Sequence, residues 1–136
     1  MTTARAYTNV EAPPDWAGSL PEYMVYNSLT TTFRLRDGNE FDYQTSLLGG
    51  RMSKGGVVLD FFFYDPPDLA INVQGEYYHY GMGATVSQND VLIRAQMAGQ
   101  GIFLIFIDEN DIYRDVDYYV RQALNYKDHS KLGGGR

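Results

Sequence analysis

Two apolar runs, residues 57–64 and 69–74, lie four residues apart, and each is interrupted by polar side chains where a buried strand pays for them. The first reads VVLDFFFY and carries a single charge, Asp60. The second reads LAINVQ and carries Asn72 and Gln74. Runs this short and apolar predict central strands covered on both faces. Asp65-Pro66-Pro67-Asp68 between them predicts a turn. A carboxylate inside such a strand is costly unless it is paired or binds a cation. Side chains alternate along a strand, so Asn72 and Gln74 share a face. Pairing of the two strands brings Asp60, Asn72 and Gln74 together.

The flanking segments predict the rest of the domain. Residues 1–18 have no periodicity, contain Pro13-Pro14, and read as an extended arm. Ser19 stands three residues before Glu22, a capping box, and residues 21–31 follow with helical spacing. Residues 41–48 alternate like a strand, and Gly49-Gly50 and Gly55-Gly56 predict hairpin turns. Residues 85–99 predict a helix, 101–107 a third buried strand, and 109–124 an amphipathic helix with an acidic first turn. Residues 127–136 read as a flexible C-terminal tail. The expected division is arm 1–18, domain 19–126 and tail 127–136. The order α-β-β-β-α-β-α predicts an α/β three-layer sandwich, a central mixed β-sheet flanked by helices.

Composition narrows the chemistry. The 136 residues are enough for one domain with a real core, and 44% apolar with 21% charged content reads as globular. The chain has no cysteine, which excludes a disulfide framework, a thiolate metal site and a cysteine nucleophile. Two histidines and no cysteine argue against zinc. A net charge of −6 is unlike a protein whose task is gripping phosphates. Twelve tyrosines and seven phenylalanines are a large aromatic load, part of it for the core, and any surplus at the surface favours protein contacts. Residues 1–9 lack the apolar centre of a signal peptide, and no apolar run approaches a membrane span. A cytoplasmic or virion-associated protein that does not engage membranes is expected.

The pattern resembles the PD-(D/E)XK nuclease superfamily, near its short-patch mismatch-repair endonuclease branch. The residues that carry the likeness are Glu22, Phe41 and Gln44, then Val58-Leu59-Asp60-Phe61, then residues 69–75 with His79. Asp90, Arg94, Gly99 and residues 103–107 complete it. The resemblance implies a restriction-endonuclease-like fold over residues 21–124. It also implies a site in which an Asp and a Glu hold Mg²⁺ and a Lys two residues beyond orients the attacking water. Asp60 matches the Asp, Asn72 falls at the Glu, Gln74 falls at the Lys, and Glu22 matches an acid of the first helix.

Two charged positions have therefore become neutral amides, which can hydrogen-bond each other and Asp60 without a metal. Glu76, on the same strand face if the strand continues, offers a replacement metal ligand beside Asp60. His79 is a candidate accessory group. The expectation is a catalytically degenerate nuclease-fold domain with no cofactor. It would act as a structural or assembly component of a larger complex such as a phage virion, binding protein partners through arm, tail and aromatic surface. The alternative is a Mg²⁺-dependent DNA endonuclease or nickase, with DNA as partner. His129 is expected to be solvated. Asp108, Glu109, Asp111, Asp115 and Asp117 are expected to form a helix start and a solvated face.

Overall fold

The computed structural model describes residues 11–47, 57–75 and 83–131. Helix α1 spans Leu20–Asn27 and passes into a π-helical turn, Ser28–Thr32. Strands β1 (Phe41–Leu47), β2 (Val57–Phe63) and β3 (Leu69–Gln74) follow. Helix α2 (Gly83–Gly99), strand β4 (Phe103–Asp108) and helix α3 (Glu109–Leu124) complete the described elements. The glycine pairs at 49–50 and 55–56 lie outside the described residues.

The four strands form one mixed sheet in the order β1-β2-β3-β4. β1 and β2 are antiparallel, as are β2 and β3, whereas β3 and β4 are parallel. A parallel neighbour needs a crossover, and α2 supplies it. Strand alternation sorts the core into two layers. Phe61, Phe63, Leu69, Ile71, Ile105 and Ile107 face α1 and α3, meeting Val25, Leu29, Ile112 and Val120. Leu59, Ala70, Leu104 and Phe106 face α2 through Met97. Helices thus cover both sheet faces, which agrees with an α/β three-layer sandwich. None of the described helices is long and apolar enough to cross a membrane.

Ser19 caps α1, its hydroxyl accepting from the Glu22 N–H at 3.3 Å. The Ser28 hydroxyl of the π-turn donates to Asp117 at 2.6 Å, tying α1 to α3. The acidic start of α3 is only partly a solvated face. Asp108 and Asp111 are buried, Asp111 pairs with Arg114, and Asp117 holds Ser28. Asp108 and Asp117 bond residues of other segments, which the helical period alone does not reveal.

Both flanking segments fold onto the sandwich where they are described. Trp16 of the arm stacks on Tyr43 at 4.7 Å and meets Tyr23 and Tyr26 at 5.2 Å each. Residues 127–131, assigned to the tail from sequence, return along β4, and Ser130 is buried. His129, expected in solvent, is half-buried against Tyr118 and Tyr119 and bonds Gln122 at 2.8 Å.

Candidate functional site

The ladder between β2 and β3 pairs Phe63 with Leu69, Phe62 with Ala70 and Phe61 with Ile71. Beyond that point two side chains take over from the backbone. The Asp60 N–H donates to Asn72 Oδ1 at 2.8 Å, and the Val73 N–H donates to Asp60 Oδ2 at 2.8 Å. Each strand therefore lends a side chain to the other's main chain. Bonds of this kind contribute about 1 kcal/mol each, and a charged acceptor adds to that.

The far side of β2 is distorted at the same level. Pairing with β1 passes from Tyr43↔Phe61 to Thr45↔Leu59 across Gln44 and Asp60. Gln44 adopts a left-handed backbone, φ 60°. Such a conformation costs a non-glycine residue about 1 kcal/mol or more. Leu59 and Phe61, two residues apart, pack on opposite faces of the sheet, so strand alternation slips at Asp60. The slip frees the Asp60 carboxyl from both apolar layers and turns it to a cavity.

That cavity, ≈ 260 Å³, is lined by Glu22, Asp60, Asn72, Val73, Gln74, Asp90 and Phe106. The four principal residues expected from sequence, Glu22, Asp60, Asn72 and Gln74, meet there. Glu76 and His79 lie outside the described residues. Asp90 and Phe106, which carry part of the likeness without a chemical role, line it too, and Tyr43 stands beside Glu22. Asp90 is the sole acid of α2, and Arg94 stands four residues later, a spacing at which helix side chains can meet. In the fold Arg94 instead approaches Asp128 at 3.9 Å and lies over the Phe106 ring.

Glu22 is held from the sheet side. Tyr43 Oη donates to Glu22 Oε1 at 2.6 Å, and Gln44 Nε2 donates to Tyr43 Oη at 3.1 Å. Burial, then the Glu22 hydrogen bond, pushes the Tyr43 phenol well above its ordinary range, so it remains a donor. Gly18 makes this contact possible. A Cβ there would meet Tyr43 Oη at 2.1 Å and Glu22 Oε1 at 2.3 Å. Gly18→Ala is therefore expected to break the Tyr43–Glu22 bond and lower stability by about 1–3 kcal/mol, read from the denaturant midpoint.

The electrostatics at Asp60 are those of an acid short of compensation. Burial and the neighbouring Glu22 carboxylate raise its pKa to about 7, opposed by the Val73 N–H. Asp60 therefore holds its proton over much of the range in which an exposed aspartate has lost it.

Several of the oxygens that would face a Mg²⁺ ion here are already engaged. One oxygen of Asp60 is engaged by Val73, the Asn72 carbonyl by Asp60, and one oxygen of Glu22 by Tyr43. Among the described residues no group of three or more His, Asp or Glu side chains is placed to hold a metal. Asn72 and Gln74 also bring no negative charge, which hard Mg²⁺ prefers in its oxygen ligands. What the arrangement does do is close the splayed end of the β2–β3 pair with polar groups.

No family model matches the chain, and no curated protein or solved structure matches it.

Proposed function

We propose that this is a nuclease-like domain of the PD-(D/E)XK kind whose site has passed from metal chemistry to joining strands. In this reading it serves as a structural or assembly component of a larger protein complex. The observation that carries the reading is the reciprocal exchange at 2.8 Å between Asp60 and β3 and between Asn72 and β2. The groups standing where the resemblance implies metal ligands are spent on the opposite strand's backbone. Sheet order and the parallel β3–β4 pair support the restriction-endonuclease-like part of the reading. So does the meeting of Glu22, Asp60, Asn72 and Gln74 at one cavity. The exposed rings of Tyr64, Phe103 and Tyr118, on an acidic chain, support protein rather than DNA partners.

The competing reading, a Mg²⁺-dependent endonuclease, draws on the same cavity because Glu22, Asp60 and Asp90 all line it. One experiment separates the two. Nicked, branched and linear DNA are incubated with the protein and with Asp60→Ala in Mg²⁺ and in Mn²⁺, and metal binding is followed by calorimetry. The expected result is no cleavage and no binding heat from either protein. Cleavage that disappears in Asp60→Ala would replace this reading with the enzymatic one.

A further inference from the structure

The cavity lined from α1, β2 and β3 holds more polar capacity than its own residues use. Glu22 Oε1 accepts from Tyr43 and Asp60 Oδ2 from Val73, which leaves Glu22 Oε2 and Asp60 Oδ1 as acceptors. The two carboxylates are close enough that charge on Glu22 disfavours charge on Asp60. Among the described residues that line the cavity, none is a lysine or an arginine. Arg94, over the Phe106 ring at 6.0 Å, pairs with Asp128 at 3.9 Å instead. Asp90 also lines the cavity and has an interaction of its own.

Gln74 is the independent sign of a ligand. Its side chain is 5% exposed and lines the cavity, and among the described residues it has no hydrogen-bond partner. A buried amide left unsatisfied is costly, so such a group points to something that enters from outside. Water satisfies an amide but brings no charge to offset two carboxylates. Gln74 and Phe106 are buried, whereas Glu22 and Asp60 are half-buried, so the acids stand on the solvent side and the amide lies within.

We propose that this cavity receives an arginine guanidinium from a protein partner, with Glu22, Asp60 and Gln74 as its acceptors. A guanidinium carries one delocalised charge and a planar fork of N–H donors, so it can bond both carboxylates and the Gln74 carbonyl together. An ammonium has fewer donors and holds its hydration more strongly. The apolar wall of Val73 and Phe106 suits the weakly hydrated faces of the planar ion. The ≈ 260 Å³ volume leaves room for the stem behind it. A net charge of −6 favours a basic partner. The inference rests on the proposed assembly role, which supplies that partner.

The test is a nuclear magnetic resonance titration of the full chain, with the Gln74 side-chain amide and the Val73 N–H as reporters. Methylguanidinium, methylammonium, neutral methylurea and Mg²⁺ are each added to about 50 mM at constant ionic strength, a range that suits ligands this small. Methylguanidinium shifts both reporters to saturation, methylammonium binds at least about tenfold more weakly, and methylurea shifts neither. The blocked tripeptide Gly-Arg-Gly binds at least as tightly as methylguanidinium, and Gly-Lys-Gly does not. Glu22→Gln keeps an acceptor for Tyr43 but removes a charge, and it weakens methylguanidinium about tenfold or more. Gln74→Met, read at Val73, weakens it severalfold and decides the matter if Glu22→Gln does not fold. The exposed Asp68→Asn, which changes net charge equally, leaves binding as it was. The proposal is overturned if no reporter saturates, if methylammonium or methylurea matches methylguanidinium, or if binding is untouched by both cavity variants. It is also overturned if the arginine tripeptide binds worse than methylguanidinium. Any of these results with Mg²⁺ silent leaves the strand-joining reading in place. Mg²⁺ saturating the reporters, together with DNA cleavage, sinks that reading instead.

Discussion

The protein is expected to lose stability as pH rises from about 4 to about 7, and Asp60→Asn is expected to abolish that slope. The cause is the Asp60 carboxyl, whose pKa is raised to about 7 in the folded chain by burial and by Glu22. In the unfolded chain it titrates near an ordinary aspartate value, about 3.9. Between those values the folded state binds more protons than the unfolded state, so stability falls with rising pH. Below about 4 both states are protonated at Asp60, and the native carboxyl carries no penalty. Above about 7 both are ionised, and the full penalty is present. A span of about 3 pH units at about 1.4 kcal/mol each bounds the effect near 4 kcal/mol, and water in the cavity reduces it to about 2–4. Asparagine keeps an acceptor for the Val73 N–H and cannot ionise. Urea denaturation at pH 5 and pH 8 measures both proteins. Equal slopes for wild type and Asp60→Asn would show that the wild-type carboxyl is charged throughout, and the account of an acid short of compensation would fail with it.

Phe61→Ala is expected to cost about 3–5 kcal/mol, a large share of the 5–15 kcal/mol that holds a domain of this kind together. Phe61 has no exposed surface, and its ring meets Tyr43 at 5.2 Å and Phe41 at 6.1 Å. It is also the first residue of β2 in register with β3, directly after the side-chain joint at Asp60. Truncation leaves a void between the helix-covered face and that joint, where the surrounding rings cannot close in without moving Tyr43 off Glu22. Tyr64→Ala, three residues on and 52% exposed, is expected to change stability by under about 1 kcal/mol. Denaturant midpoints at constant m distinguish the two. Similar losses for both would place the core elsewhere than the β1–β2–β3 face.

Much of this arrangement is legible in the amino-acid order because it depends on local period. Val57–Phe63 and Leu69–Gln74 announce themselves as buried strands, and Asn72 and Gln74 fall on one face by simple alternation. Glu109–Leu124 follows the 3.6-residue period of Ile112, Val116, Val120 and Ala123. The meeting of Glu22, Asp60, Asn72 and Gln74 was also expected, through the resemblance and the pairing of β2 with β3. What escapes a reading of this kind is set by partners distant in sequence. The slip at Asp60 arises opposite Gln44, whose left-handed backbone has no signature in a strand-like run. Arg94 turns to Asp128, a partner its place in the helix does not suggest. Asp128 itself sits in a segment of tail-like composition, yet it serves a strand 22 residues earlier. A polar residue's partner depends on tertiary geometry, to which periodicity is blind.

The docking of the arm has an optical consequence. Trp16 is the chain's one tryptophan, and twelve tyrosines surround it in the sequence. Its ring stacks on Tyr43, and its Nε1–H donates to Ser19 O at 3.1 Å, at the entrance to α1. Light absorbed by nearby tyrosines drains to this indole, which emits from beside the Tyr43–Glu22 contact. The protein thus carries a built-in fluorophore, and the colour and polarisation of its emission follow the arm's attachment and the wall of the acidic cavity without any label.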